Sequence, residues 1–278
     1  MSASIDLSLR HAVTLVVPSK NRPSTIVTCL SNVLSQPTPP HEVIVVDQSA
    51  ERYDLTPFPS VRHIYDPSLS GLTAARNAGI RAATGDVVMF IDDDCIFLND
   101  AIKGVDGALR RHPDAIAVQA VIVNLTGADG AGGGRLSERL FERGFFDSHT
   151  VAEHPGDARV RRLSGGSMAV RRSVFDHELF DEALTGYGYG EDWEFSKRAA
   201  RHGPFYLAPE AQLRHDAVSE NRFSSRDQFQ TRWDNFRYIY AKLRADASVA
   251  DAFWYRWWMF GEALQWLRFG FGLPRSSR

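Results

Sequence analysis

The chain is poor in cysteine. It has two, Cys29 and Cys95, which excludes a disulfide scaffold and points to free thiols in a reducing compartment. It also lacks any long uninterrupted apolar run. The first apolar stretch, residues 13–17, is too short for a signal peptide or a spanning helix, so the expectation is a cytoplasmic protein. Neither charge dominates: 32 Lys and Arg against 34 Asp and Glu leave −2, which gives no global reason to expect nucleic acid. Internal repeats are absent too. What remains is ample apolar material, 44% of residues, enough for a real core. The near-neutrality hides an asymmetry. Residues 221–278 hold ten Lys/Arg and five Asp/Glu, so the preceding 220 residues carry −7. That predicts an acidic body and a basic tail suited to a negative surface.

The first 120 residues alternate strand and helix signals. Strands are expected at 12–17, 43–46, 61–65, 87–91 and 115–124, and helices at 23–34, 71–83 and 99–111, with Pro23 at a helix start. Such alternation specifies an α/β fold, a mostly parallel sheet with helices on both faces. Residues 127–134 contain five glycines and read as a loop. Strands are expected again near 167–171, 205–208 and 212–215. A helix begins near Gly190, and two more cover 221–245 and 253–269.

Asp92-Asp93-Asp94 follows the apolar run Val87-Val88-Met89-Phe90-Ile91. Three carboxylates are therefore held together at the end of a buried strand. Two of them at about 4 Å repel by roughly 4 kcal/mol at an effective dielectric near 20. Water, an arginine, a proton or a divalent cation must offset that, and oxygen ligands suit Mg²⁺ or Mn²⁺. The plainer alternative is a solvated turn whose last Asp caps a helix. In parallel sheets ligands bind beyond the carboxyl ends of the strands. Asp47 and Asp92–Asp94 all lie at such ends, so one crevice can gather them.

Several segments, in order, resemble the family 2 glycosyltransferases of GT-A fold. They are Val16-Val17-Pro18-Ser19-Lys20-Asn21-Arg22, Val45-Val46-Asp47-Gln48-Ser49, Gly71-Leu72-Thr73-Ala74-Ala75-Arg76-Asn77-Ala78-Gly79 and Phe90-Ile91-Asp92-Asp93-Asp94. Further along come Ser164-Gly165-Gly166-Ser167-Met168-Ala169-Val170-Arg171-Arg172 and Tyr189-Gly190-Glu191-Asp192. Each is weak alone; six in order over residues 12–216 are specific.

The resemblance implies a metal-dependent, inverting transfer of a hexosyl or deoxyhexosyl group from a nucleotide diphosphate-sugar to a glycan or lipid-linked acceptor. The setting would be cell-surface polysaccharide or glycoconjugate synthesis. Donor contacts would come from Pro18, Ser19, Lys20, Asn21, Arg22, Asp47, Gln48, Gly71, Arg76, Asn77, Asp92 and Asp93. Asp94, Asp92 and His215 would hold Mn²⁺ or Mg²⁺. Asp192 would be the general base, with Gly165, Gly166, Glu191 and Trp193 on the acceptor side. Plainer roles stand beside these. Asp47 can form an Asx turn, and Asp93 can face solvent. Arg76 can be a surface helix arginine, and Lys20 and Arg22 can be solvated loop cations. Glu191 and Asp192 can serve the helix dipole, Trp193 can be core, and a lone His215 can be structural.

The expected organisation is a GT-A catalytic domain over 1–220, with a nucleotide-sugar part (1–115) and an acceptor part (116–220). A helical extension occupies 221–278. Four of the six tryptophans, Trp254, Trp257, Trp258 and Trp266, fall in its last helix. That helix would lie peripherally on a membrane, pack on the body, or meet a second copy of the chain. Two other functions compete. A sugar-1-phosphate nucleotidyltransferase needs a Gly-rich phosphate loop after the first strand, and Pro18–Pro23 has no glycine. A non-catalytic nucleotide- or glycan-binding module would keep the fold without turnover.

Overall fold

A computed structural model of the chain describes residues 9–123, 156–216, 225–244 and 249–271. Its strands are β1 (Val13–Ser19), β2 (Glu42–Asp47), β3 (Val61–Tyr65), β4 (Val87–Phe90), β5 (Cys95–Phe97), β6 (Ala117–Ile122), β7 (Arg159–Val160), β8 (Met168–Arg171) and β9 (Phe205–His215). The helices are α1 (Pro23–Leu34), α2 (Leu72–Ala82), α3 (Ala101–Arg111), α4 (Glu191–Ala199), α5 (Ser225–Leu243) and α6 (Val249–Phe271). All nine strands form one sheet, ordered β3-β2-β1-β4-β8-β6-β9-β5, with β7 also paired to β9.

The central strands are near-continuous apolar runs because both sheet faces are covered. Alternate residues feed opposite layers. Val13, Leu15, Val17, Val43, Val45 and Met89 pack with Ile26, Leu30, Ile102 and Leu109 of α1 and α3. Val16, Ile44, Val46, Val88 and Phe90 pack on the other face with Ile80 of α2, Phe175, Phe180 and Phe195. Burying side chains of this kind contributes about 1.5–3 kcal/mol each before entropy is subtracted. Pro23 opens α1, as its fixed φ and missing donor favour.

The predicted predominance of parallel pairing holds for β3-β2-β1-β4 and for β6 with β9. It fails at β8, which runs antiparallel between β4 and β6, and at β5 and β7 against β9. The sheet is mixed. The strands expected at 205–208 and 212–215 are one strand, whose pairing with β6 shifts register between Ala120 and Val121. The short strand β5 was not expected, and it matters: it pairs Cys95 with His215. Both cysteines are buried free thiols. The glycine-rich segment 127–134 lies outside the described residues.

A third apolar cluster joins the C-terminal helices to the body. Phe236, Ile239 and Trp258 pack with Leu184 and Trp193. Asn235 Nδ2 donates to the Tyr189 carbonyl at 3.2 Å, and Lys242 Nζ meets Asp181 at 2.5 Å and Glu194 at 2.8 Å.

Candidate active site

Parallel pairing brings the carboxyl ends of β1, β2 and β4 to one edge of the sheet. A cavity of about 710 Å³ opens there. Of the residues assigned from the sequence, Pro18, Ser19, Lys20, Asn21, Arg22, Gln48, Gly71, Arg76, Asp92, Asp93, Asp94, Gly165, Gly166, Glu191, Asp192 and His215 all line it. Asp47, Asn77 and Trp193 do not.

The three aspartates divide. Asp93 turns into the protein, where Ser19 Oγ donates to it at 2.6 Å and Arg22 Nη1 at 2.9 Å. Burial pushes its carboxyl up to about 6, against the pull of Ser19 and Arg22. Asp93 is therefore not solvent-facing: Ser19 and Arg22 hold its carboxylate at the cavity wall. Arg22 is no solvated loop cation: it also reaches Asp94 Oδ2 at 3.4 Å. Asp94 Oδ1 lies 2.9 Å from His215 Nε2, a contact delivered by the β5–β9 pairing. Asp92 is 38% exposed at its side chain and opens to the cavity. Carboxylate oxygens of Asp92 and Asp94 and the Cys95 sulfur lie within 4.8 Å of one another. Burial pushes the Cys95 thiol well up, so the thiolate a metal needs is disfavoured. Two carboxylates remain, oxygen donors that fit Mn²⁺ or Mg²⁺, with the His215 imidazole beside Asp94.

The acceptor half is organised by two arginines. Arg76 is 1% exposed, far from the surface role its helix position allowed. Its Nη1 pairs with Glu191 Oε1, its Nη2 lies 3.7 Å from Asp92 Oδ1, and its guanidinium sits over the rings of Phe90 and Phe180. Gly165 and Gly166 permit this. A Cβ at Gly165 would come within 2.7 Å of both terminal nitrogens of Arg76, and one at Gly166 within 2.6 Å of Asp92 Oδ2. Burial and the charge of Asp192 raise the Glu191 carboxyl, against Arg76. Asp192 follows Glu191 as the second residue of α4. Arg162 Nη2 donates to Asp192 Oδ2 at 2.9 Å, and the Gly165 amide approaches the same oxygen at 3.4 Å.

Three assigned residues have structural partners instead. Asp47 is fully buried and accepts hydrogen bonds from the amides of Ser49 and Tyr53 (both 2.9 Å), with His63 Nε2 at 3.1 Å. The turn role is the one it fills. Asn77 Nδ2 donates to the Phe180 carbonyl and to Glu182, and its Oδ1 accepts from the Phe180 amide. Trp193 packs in the cluster with Phe236, Ile239 and Trp258 and so is core. Gln48 does face the cavity. Its Nε2 donates to the carbonyls of Leu69 and Gly71, both at 3.0 Å, which leaves Oε1 as its acceptor.

Sequence reasoning missed Arg162 and Tyr187, and gave Tyr189 no role of its own although it falls in a matching segment. The two tyrosines line the cavity, with ring centroids 5.9 Å apart. They alternate with Gly186, Gly188 and Gly190, all at positive φ. That Gly-Tyr-Gly-Tyr-Gly pattern before Glu191-Asp192 was a readable signal of a shaped loop. Nothing in the sequence singles out Arg162 from its neighbouring arginines.

A nine-stranded mixed sheet flanked by helices, with such a cavity at its carboxyl edge, is the architecture of the GT-A glycosyltransferases. The mannosyltransferase PcManGT from Pyrobaculum calidifontis, solved with GDP-Man and Mn²⁺, superimposes with a TM-score of 0.62 at 19% identity, over 95% of this chain and 77% of that one. Staphylococcus aureus TarS (residues 1–349) with UDP-GlcNAc gives 0.61 at 17%, over 95% and 76%. At these identities the likeness establishes the fold. The profile described as Glycosyl transferase family 2 matches residues 14–179, and the chain belongs to that family. Among its relatives is an uncharacterized glycosyltransferase, YwdF of Bacillus subtilis (strain 168), 28% identical over 198 residues and 68% of each chain. Another is a glucosyl-dolichyl phosphate glucuronosyltransferase of Haloferax volcanii, 31% identical over 60% of this chain and 54% of its own length.

Proposed function

We propose that this glycosyltransferase moves a hexosyl or deoxyhexosyl group, with inversion, from a nucleotide diphosphate-sugar to a hydroxyl of a glycan or lipid-linked acceptor, in the synthesis of a cell-surface polysaccharide or glycoconjugate. The observation that carries it is one cavity whose wall holds both the Asp92–Asp94–His215 group and the Glu191–Asp192 pair. The known partners of the solved neighbours, GDP-Man and UDP-GlcNAc, support a donor of this class.

Asp92, Asp94 and His215 would hold the divalent cation, Mn²⁺ or Mg²⁺. When bound it supplies charge neutralisation to a departing diphosphate. Lys20, Asn21 and Gln48 line the part of the cavity beyond β1 and β2, where the nucleoside would sit. Asp192 would accept the proton of the acceptor hydroxyl as that oxygen attacks the anomeric carbon. Arg162 and the Gly165 amide both approach its Oδ2 and so fix the direction of the carboxylate. Tyr187 and Tyr189 give the cavity an aromatic lip on which the apolar face of a sugar ring can rest.

The test is nucleoside diphosphate release from a panel of nucleotide sugars, with Mn²⁺ or Mg²⁺ and a set of glycoside and polyprenyl-phosphate sugar acceptors. Asp192→Asn should bind donor normally and transfer about a hundredfold or more slowly. A folded Asp192→Asn protein with normal turnover removes the base assignment. Pyrophosphate release from a nucleoside triphosphate would instead point to nucleotidyl transfer.

A further inference from the structure

Helix α6 has two unlike faces. Trp258 is buried against Phe236, Ile239 and Trp193. Val249 (89% exposed), Phe253 (57%), Phe260 (53%) and Leu264 (44%) face outward, as does the exposed Arg256. At 100° per residue these five positions fall within an arc of about 80°, and Trp258 lies about 160° from its middle. The stripe runs for about 22 Å. A surface helix normally turns polar residues outward, and an outward row of large apolar side chains marks a contact surface.

Two occupants fit an apolar stripe: a second copy of the chain or a lipid surface. Charge separates them. Residues 221–278 carry a net +5, and Arg237, Arg244 and Arg256 are all exposed. A two-fold contact through the stripe would bring two such segments together, with Arg256 among the apolar residues of each. An anionic bilayer accepts both chemistries. Its acyl boundary takes the phenyl rings, and its phosphates take the guanidinium groups. No helix among the described residues is long and apolar enough to cross a membrane, so α6 would lie along the surface.

We infer that α6 binds the interface of an anionic bilayer through Val249, Phe253, Arg256, Phe260 and Leu264. The consequence reaches the cavity. Helix α5 packs against α6 through Tyr240 and Tyr255, whose rings stack at 3.7 Å, and against the loop before α4 through Asn235 and Tyr189. A docked α6 therefore holds the aromatic lip near the lipid surface, where a lipid-linked acceptor would be presented. The inference stands apart from the transfer reaction, because it is read by binding alone.

The experiment is flotation of the full chain with vesicles of phosphatidylcholine and phosphatidylglycerol in equal parts, beside vesicles of phosphatidylcholine alone. Light scattering measures the oligomeric state. Binding to the anionic vesicles is expected, weakening with salt and on neutral vesicles. The double variant Phe253→Ser/Phe260→Ser should lose one to two orders of magnitude of affinity, about that expected for two half-inserted phenyl rings. Arg256→Glu should lose about thirtyfold, from two charge units at about 1 kcal/mol each. Both variants should fold, with at most a small drop in melting temperature, because Phe253 and Phe260 are more than half exposed and Arg256 is exposed, although Phe260 also meets Trp257. Protein that stays unbound on anionic vesicles at low salt overturns the inference. So does binding that survives the Phe variant, or a dimer that the Phe variant dissolves.

Discussion

Replacing Arg76 with methionine tests the electrostatic core of the site. Methionine keeps an unbranched apolar stem but removes the guanidinium, and with it the charge beside Glu191 and the cation over Phe90 and Phe180. Breaking a buried ion pair by deleting one partner costs about 3–5 kcal/mol. Here the cost should depend on pH, because Glu191 can take a proton. In the wild type its folded carboxyl titrates at about 7, raised from an ordinary 4.5. Without Arg76 it titrates higher still. Below pH 7 both folded proteins carry a protonated Glu191, and their stabilities run parallel with pH. The gap there is the lost guanidinium hydrogen bond, about 1–3 kcal/mol. Above pH 7 the folded variant keeps a proton that its unfolded chain has released. Its stability then falls by about 1.4 kcal/mol per pH unit relative to the wild type. Near pH 8.5 the total gap should reach about 3–5 kcal/mol. Urea titrations at about pH 6 and about pH 8.5 measure it. A gap that is constant, or that narrows as pH rises, would refute the reasoning.

Gly165→Ala should destabilise by about 1–3 kcal/mol through overpacking against Arg76 and Glu191, and should lower donor turnover; an unchanged denaturation midpoint would show that the ion pair can move aside. Added Mn²⁺ or Mg²⁺ should raise the melting temperature, by about 2.7 kcal/mol of stabilisation at a hundred times the dissociation constant, and Asp94→Ala should abolish the rise in a thermal-shift assay. Lys242→Ala, which removes the contacts to Asp181 and the fully buried Glu194, should cost about 1 kcal/mol, since Lys242 is a third exposed; proteolysis should then cut α5 from the body more readily.

The strand and helix order of the first 120 residues was legible because covered strands write themselves as apolar runs. What the pattern could not say is where a side chain at a strand end points. Asp47 shows the difficulty. It shares parity with Val43 and Val45, which face α1 and α3, so it enters that layer and is consumed by the Ser49–Tyr53 turn. Gln48, one residue on, turns to the cavity. Trp193 likewise sits about 100° around α4 from Asp192 and meets the C-terminal helices instead. β5 was invisible because three residues carry no periodicity. Yet β5 makes the His215 contact with Asp94, which spacing alone could never fix.

The charge balance of the cavity ties these pieces together. Its wall holds five carboxyl groups, Asp92, Asp93, Asp94, Glu191 and Asp192. Three guanidinium groups face them: Arg22 on Asp93 and Asp94, Arg76 on Glu191 and Asp92, and Arg162 on Asp192. With all carboxyls ionised these pairs fall two positive charges short, and Lys20 on the same wall makes up one of them. The imbalance is felt unevenly. Burial pushes Asp93 and Glu191 towards protonation, against the arginines beside them. Asp92 faces the cavity and Asp94 faces His215, so the uncompensated charge gathers where a cation can reach it. The arginines therefore do two jobs. They make the cluster foldable, and by falling short of neutrality they leave a negative wall of the kind the proposed cation site needs.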